Sequence, residues 1–213
     1  MVSETVIARK ILLACGILSA LLYAAADGVA GSLWESYSFR DMTISELGAI
    51  GAPTRTLFSG LVLLVYALLL AFGVGVWKTA GTKTRLRVVG GLLIALGVMA
   101  WGTMPFGATD LRTEGLSPAT TAHIVLTALG ALIVIAAIAL GATAFDARFL
   151  QYSIATIVVM MAFAAWSGMR AAWPGRDLAT PWLGVIERIS FYSYWLWFMV
   201  LAVKLLRRRD ART

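Results

Sequence analysis

Six runs of about 20 apolar residues, each long enough to cross a hydrocarbon core of roughly 30 Å, constrain this chain more than any other feature. They lie at about Ile11–Ala30, Leu57–Val76, Val88–Met104, Ala122–Ala144, Leu150–Met169 and Val185–Leu205. With no water in the bilayer core, each run can satisfy its own backbone groups only as a helix. Charged residues make up 14% of the 213, against about 25% in a soluble domain, and mean hydropathy is +0.85. The expected fold is all-α: one polytopic transmembrane bundle of six helices over residues 1–213. The first run exceeds a secretory h-region, and Asp27 spoils "AAADGVAGSLW" as a cleavage context, so a signal peptide is not expected.

The net charge of +7 raises the question of a nucleic-acid partner, and its distribution answers it. With both termini cytoplasmic, the inner segments hold Arg9, Lys10, Lys78, Lys83, Arg85, Arg87, Arg148, Lys204, Arg207, Arg208, Arg209 and Arg212. Of the acids, only Glu4, Asp146 and Asp210 lie on that side. This is the positive-inside pattern. It predicts a bacterial inner-membrane protein with cytoplasmic termini and no nucleic-acid partner. The tail "KLLRRRDART" reads as a lipid-headgroup anchor, each basic side chain contributing about 1 kcal/mol. Cys15, the single cysteine, offers neither a disulfide framework nor a thiolate metal site.

Trp34, Trp101, Trp173 and Trp182 fall near the expected outer boundary and Trp77 near the inner one, as an aromatic belt would. Small residues in "GLLIALG" and "ALGALIVIAAIALGA" predict close backbone approach. The three outer connections are long and the two inner ones short.

Polar groups at membrane depth are expensive and tend to face a bundle interior. Topology puts Asp27, Glu46, Asp110, His123 and Glu187 at one end. "SPATTAH" predicts a helix start with Ser117 as N-cap and Pro118 at the first helical position. That places His123 roughly 7–9 Å inside. As the only histidine it suits packing, proton transfer or ligand binding. A bis-histidine haem is excluded, and catalytic zinc prefers two or three histidines. On the last span Glu187, Ser190, Tyr194 and Trp197 share a face, while the adjacent Arg188 is expected to snorkel to the interface. Gly28 beside Asp27 suggests a helix end or close packing.

The stretch "YSFRDMTISELGAIGAP" carries Arg40, Asp41, Ser45 and Glu46 between apolar runs. Thr43 and Glu46 fit a capping box for a short interfacial helix, "TISELGAI", which would lie in the interface or fold back as a lid. Walker A, dinucleotide, HExxH and G-x-S-x-G motifs are absent.

The order "YSFRDMTISELGA..GAP", then "MPFGATDLR", then an early histidine in the fourth span resembles a bacterial six-span family, domain of unknown function nine-nine-eight, over about residues 10–205. More distantly it is similar to Frag/DRAM/Sfk-like membrane proteins, through Ile44, Ser45, Glu46, Gly48 and Pro53 in the loop, His123 and Glu187. "ERISFYSYW" departs from that group's acidic-Trp pair. The resemblance implies membrane lipid as a theme and supplies no mechanism.

The first functional expectation is an outward pocket of Asp27, Arg40, Asp41, Ser45, Glu46, Asp110, His123, Glu187 and Tyr194. It would recognise a lipid or another amphiphilic small molecule by its head group, without cofactor or metal. The second is an intramembrane hydrolase or transferase, with His123, Glu46 and Glu187 as candidate catalytic residues and a metal held by the carboxylates in one version. The third is a proton-coupled carrier using Glu187 or Asp27.

Overall fold

A computed structural model of the protein describes residues 2–104, 107–111, 117–172 and 180–207. It contains α1 Val2–Leu33, α2 Arg55–Thr79, α3 Thr84–Thr103, α4 Pro118–Ala142, α5 Ala147–Ala172 and α6 Leu183–Arg207. All six are long and apolar enough to cross a membrane. The fold is therefore an all-α polytopic bundle. Several helices begin before their apolar runs, because polar and basic residues at the ends sit in the first turns. At α4 the expected cap is present: Ser117 Oγ accepts from the Thr120 amide at 3.0 Å, and Pro118 takes the first helical position. Trp173, the tail beyond Arg207, and parts of "MPFGATDLR" and of the connection before α6 lie outside the described residues.

Each helix packs on the next, and α6 returns to α1, so the six close into a ring. The α1–α2 and α2–α3 seams are the most extensive and the α4–α5 seam the thinnest. Glycine sets the tight seams. A Cβ on Gly90 would stand 2.6 Å from the Trp77 amide nitrogen, and one on Gly73 2.8 Å from that of Ile94. Both small-residue runs behave as expected: Gly97 lies against Leu70 and the Tyr66 carbonyl, and Gly141 against the Trp197 ring. Gly28 does neither thing expected of it. α1 continues through it to Leu33, and a Cβ there would meet nothing within 4 Å.

At the end of the bundle that carries the termini, Trp197 joins three helices. Its ring covers Gly141 of α4, and its Nε1 donates to Ser153 Oγ of α5 at 2.8 Å. There α4 buries Val134, Ala137 and Ile138, and α5 buries Phe149, Ser153, Thr156 and Met160, each at the three- and four-residue spacing of one helical face. Toward the opposite end this stops. Residues 117–133 of the α4 start and 161–168 of α5 include no buried side chain. α4 leans there on α3, with Gly130 against Met99, and the α4–α5 seam is the loosely packed one. A groove of about 300 Å³ at the terminal end is lined by Val6, Ala8, Arg9, Leu12 and Lys78.

The glycine seam yields a paired expectation. Gly90→Ala forces α2 and α3 apart and costs about 1–3 kcal/mol. Gly60→Ala, on an exposed face of α2 where a Cβ meets nothing within 4 Å, stabilises by up to about 1 kcal/mol. Thermal unfolding of the two variants in the same detergent checks the difference in sign.

Candidate functional site

Residues 34–54 fold over the end of the bundle opposite the termini and form a lid. Its centre is a single 3-10 turn, Ile44–Gly48, rather than the longer helix expected. The capping box is present: the Glu46 carboxylate accepts from the Thr43 amide at 2.6 Å and from its hydroxyl at 3.1 Å, while Thr43 Oγ1 accepts from the Glu46 amide at 3.3 Å. Glu46 thus turns back to its own helix start. Extended backbone at Ala49 and the positive φ of Gly51, 95°, end the turn. Ile44 and Leu47 plug the core below.

The lid is held by a buried ion pair. Arg188 of α6 grips Asp27 of α1 with two prongs, Nε to Oδ2 at 2.9 Å and Nη2 to Oδ1 at 2.7 Å. Nη2 also reaches the Tyr37 hydroxyl at 2.6 Å, and Nη1 donates to the carbonyls of Phe39 at 2.7 Å and Met42 at 3.0 Å. The Tyr192 hydroxyl donates to the same Asp27 oxygen that Nε reaches. The guanidinium stacks on Phe39 and Tyr37, 5.0 and 5.6 Å from their ring centres. Arg188 therefore does not snorkel. The lid covers the face of α6 that a bare helix would have shown to the interface, and Asp27, 2% exposed, needs a cation. That need was the available signal, since Arg188 is the sole basic residue in the lid-side half of α6. Tyr37 and Tyr192 carried no comparable mark.

One residue earlier, Glu187 secures the lid's centre by accepting from the Ile44 amide and, at 2.9 Å, from Ser45 Oγ. Gly184 lies so close to the Phe39 and Met42 carbonyls that a Cβ has no room. At the rim Arg40 pairs with Asp41 at 2.9 Å. Asp41 Oδ1 accepts from the Trp182 amide at 3.0 Å, and its carbonyl accepts from Thr180 Oγ1 at 2.7 Å. Trp182 holds a φ of 67°, rare for a bulky side chain. The Arg40 guanidinium, and then the Trp182 amide, hold the Asp41 carboxyl down to about 2. Burial pushes the Tyr37 phenol up.

Asp110 and His123 form a separate group at the α3–α4 link. Asp110 accepts from the hydroxyl of Ser117, the α4 cap, and its amide donates to Thr120 Oγ1 at 3.3 Å. Its backbone bridges to the lid: the Ile50 amide donates to the Thr109 carbonyl at 2.8 Å, and the Leu111 amide to the Ile50 carbonyl at 3.2 Å. His123 Nδ1 lies 2.6 Å from the Gly107 carbonyl oxygen. A carbonyl only accepts, so Nδ1 carries a proton there. Tyr194 lies deeper, among Phe191, Trp195 and Phe198.

The nine sequence-derived residues thus share one half of the bundle but not one cluster. Arg40, Asp41, Ser45, Glu46, Asp27 and Glu187 build or lock the lid; Asp110 accepts from the Ser117 cap of α4; His123 bonds a carbonyl and, among the described residues, no carboxylate. Among the described residues no three His, Cys, Asp or Glu side chains gather as a metal would need.

The family described as "Protein of unknown function (DUF998)" matches residues 17–204. The chain belongs to that family. The DUF998 match spans the Asp27–Arg188 pair, the whole lid and the α4 start. No curated protein and no solved structure matches the chain.

Removing one partner of a buried pair leaves the other charge uncompensated. Arg188→Ala should therefore lower stability by about 3–5 kcal/mol, while the paired change Asp27→Leu with Arg188→Met should recover most of it. His123→Ala, losing one neutral bond, should cost about 1 kcal/mol. Unfolding titrations in mixed micelles rank the three. The lid rim also has a pH signature. Because the folded Asp41 value lies below the ordinary 3.8, its bonds are fully present above about pH 4 and fail as pH falls through the folded value. Protease cutting of the 34–54 segment should be flat from neutral pH to about 4, rise below that, and in Asp41→Asn be raised at every pH.

Proposed function

We propose that the protein handles a membrane lipid, in the bacterial inner membrane with both termini cytoplasmic and the lid at the outer face. One observation carries this reading. The end opposite the termini is covered by a lid held through Asp27, Arg188, Glu187 and Asp41, whereas residues 117–133 at the α4 start and 161–168 of α5 bury no side chain. A water-soluble substrate has no route past the Asp27–Arg188 lock, and an amphiphile in the outer leaflet has a route between two helices. The positive-inside distribution supports the orientation. The resemblance of the lid loop, His123 and Glu187 to Frag/DRAM/Sfk-like proteins implies the same theme.

His123 supports a second reading, a hydrolase or transferase acting on that lipid. The Gly107 carbonyl anchors its Nδ1, and under this reading Nε2 would act as the general base.

Mass spectrometry of the protein purified in mild detergent tests the first reading. A lipid retained at about one per chain, enriched over its share of the membrane, is the expected result. Retention no different from that of an unrelated six-span protein removes it. Under the second reading His123→Ala retains the lipid while products of its turnover disappear from the same extract.

A further inference from the structure

The groove at the terminal end is a break in an otherwise tight seam. Gly16 lies against the Phe72 ring and Gly75 against Leu12, where an added Cβ would stand 2.7 and 2.9 Å from the nearest atoms. α1 and α2 run antiparallel through these contacts. The next turn outward therefore brings Arg9, three residues before Leu12, level with Lys78, three residues after Gly75. There the helices leave a space of about 300 Å³. Arg9 comes from one wall and Lys78 from the other, and Val6, Ala8 and Leu12 complete the lining with apolar surface. Among the described residues that line the groove none is acidic. Lys78 Nζ makes no hydrogen bond or ion pair with any described residue.

Neighbouring side chains mark the groove's level in the membrane. Trp77, next to Lys78, is 47% exposed, and Ile7 and Ile11 on the same turns of α1 are 56% and 60% exposed. Tryptophan favours the headgroup boundary, and exposed isoleucines belong beside acyl chains rather than water. The groove therefore sits at headgroup level with hydrocarbon alongside. Two cations held level repel each other, and an anion between them turns that repulsion into attraction. A phosphate suits both, since arginine presents forked donors and lysine a point charge.

We infer that the groove between Arg9 and Lys78 binds the phosphate of an anionic phospholipid from the leaflet on the side of the termini. A zwitterionic phospholipid suits it less well, because its ammonium meets no acid among the described lining residues. A free phosphate would leave the apolar surface of Val6, Ala8 and Leu12 uncovered. The site lies at the opposite end of the bundle from the outer-leaflet route and does not depend on it. A lipid seated where α1 and α2 part extends their contact by a further turn, so binding stabilises the folded chain by mass action.

Delipidated full-length protein in detergent, titrated with dioleoylphosphatidylglycerol, dioleoylphosphatidylcholine or inorganic phosphate and followed by thermal midpoint, tests this. Phosphatidylglycerol should raise the midpoint in a saturable way that weakens with added salt. The other two should act roughly tenfold more weakly or less. Lys78→Gln and Arg9→Gln should each weaken phosphatidylglycerol about fivefold, the worth of one basic charge near the surface. Lys78 is exposed, so its variant stands in if Arg9→Gln does not fold. Ala8→Phe keeps both charges, fills the groove and should weaken the lipid at least as much. Lys10→Gln removes a charge from exposed surface outside the groove and should change affinity by less than about twofold. No response to phosphatidylglycerol, or an equal response to phosphatidylcholine or inorganic phosphate, overturns the inference. Unchanged affinity in Lys78→Gln and Ala8→Phe does so too. An equal loss in Lys10→Gln marks a diffuse basic surface and also overturns it. None of these outcomes bears on the outer-leaflet reading, whose lipid enters at the other end of the bundle.

Discussion

The lid-side half of the molecule depends on one buried ion pair. Asp27 and Arg188 come from the first and last helices, so their bond closes the ring as well as holding the lid. Taking two charges out of water is repaid only when geometry is good and the remaining donors and lone pairs are used. Here the carboxylate accepts two prongs and a tyrosine, and the guanidinium spends its other N–H groups on lid carbonyls and Tyr37. The lid has few other means of attachment, since its own regular structure is a single 3-10 turn. Glu187 adds a second bond at the turn's first amide, and Asp41 a third at the rim.

The two halves of the bundle are built by different physics. Toward the termini, glycine and tryptophan supply contact: helix backbones meet at Gly73 and Gly90, and one indole fills the space above Gly141. Toward the lid, α1, α2 and α6 stay packed while α4 over 117–133 and α5 over 161–168 bury no side chain. In lipid there is no hydrophobic drive to close such a gap, because acyl chains are as apolar as leucine. A seam opens wherever side chains do not interlock. Loose packing of this kind falls between α4 and α5, the neighbouring helices with the least mutual contact.

The lid closes the end of the bundle opposite the termini, and Asp27, Arg188, Glu187 and Asp41 are all engaged in holding it. The ionisable residues fasten the lid, and the aromatic ones pack against one another in the bundle interior. The ionisable residues drew attention first because charge in an apolar sequence is conspicuous. A tyrosine in a membrane helix is not, and Tyr23, Tyr66 and Trp195 carried no signal until three helices brought them to one depth.

The sequence by itself determined the six helices, their all-α class, the Thr43–Glu46 capping box and the Ser117 cap. These depend on neighbours within a few residues or on the length of an apolar run, both of which local order preserves. It also placed Asp27, Glu46, Asp110, His123 and Glu187 at one end, because a chain that crosses a membrane must alternate sides. Only the tertiary structure decided how those residues group. Glu187 and Arg188 are adjacent in sequence and were expected to face different surroundings. A lid folded over both gives each a partner, one at Ile44 and one at Asp27. Which side chains meet across 140 or more residues depends on how helices rotate and lean, and that is fixed by packing between faces that periodicity alone cannot pair.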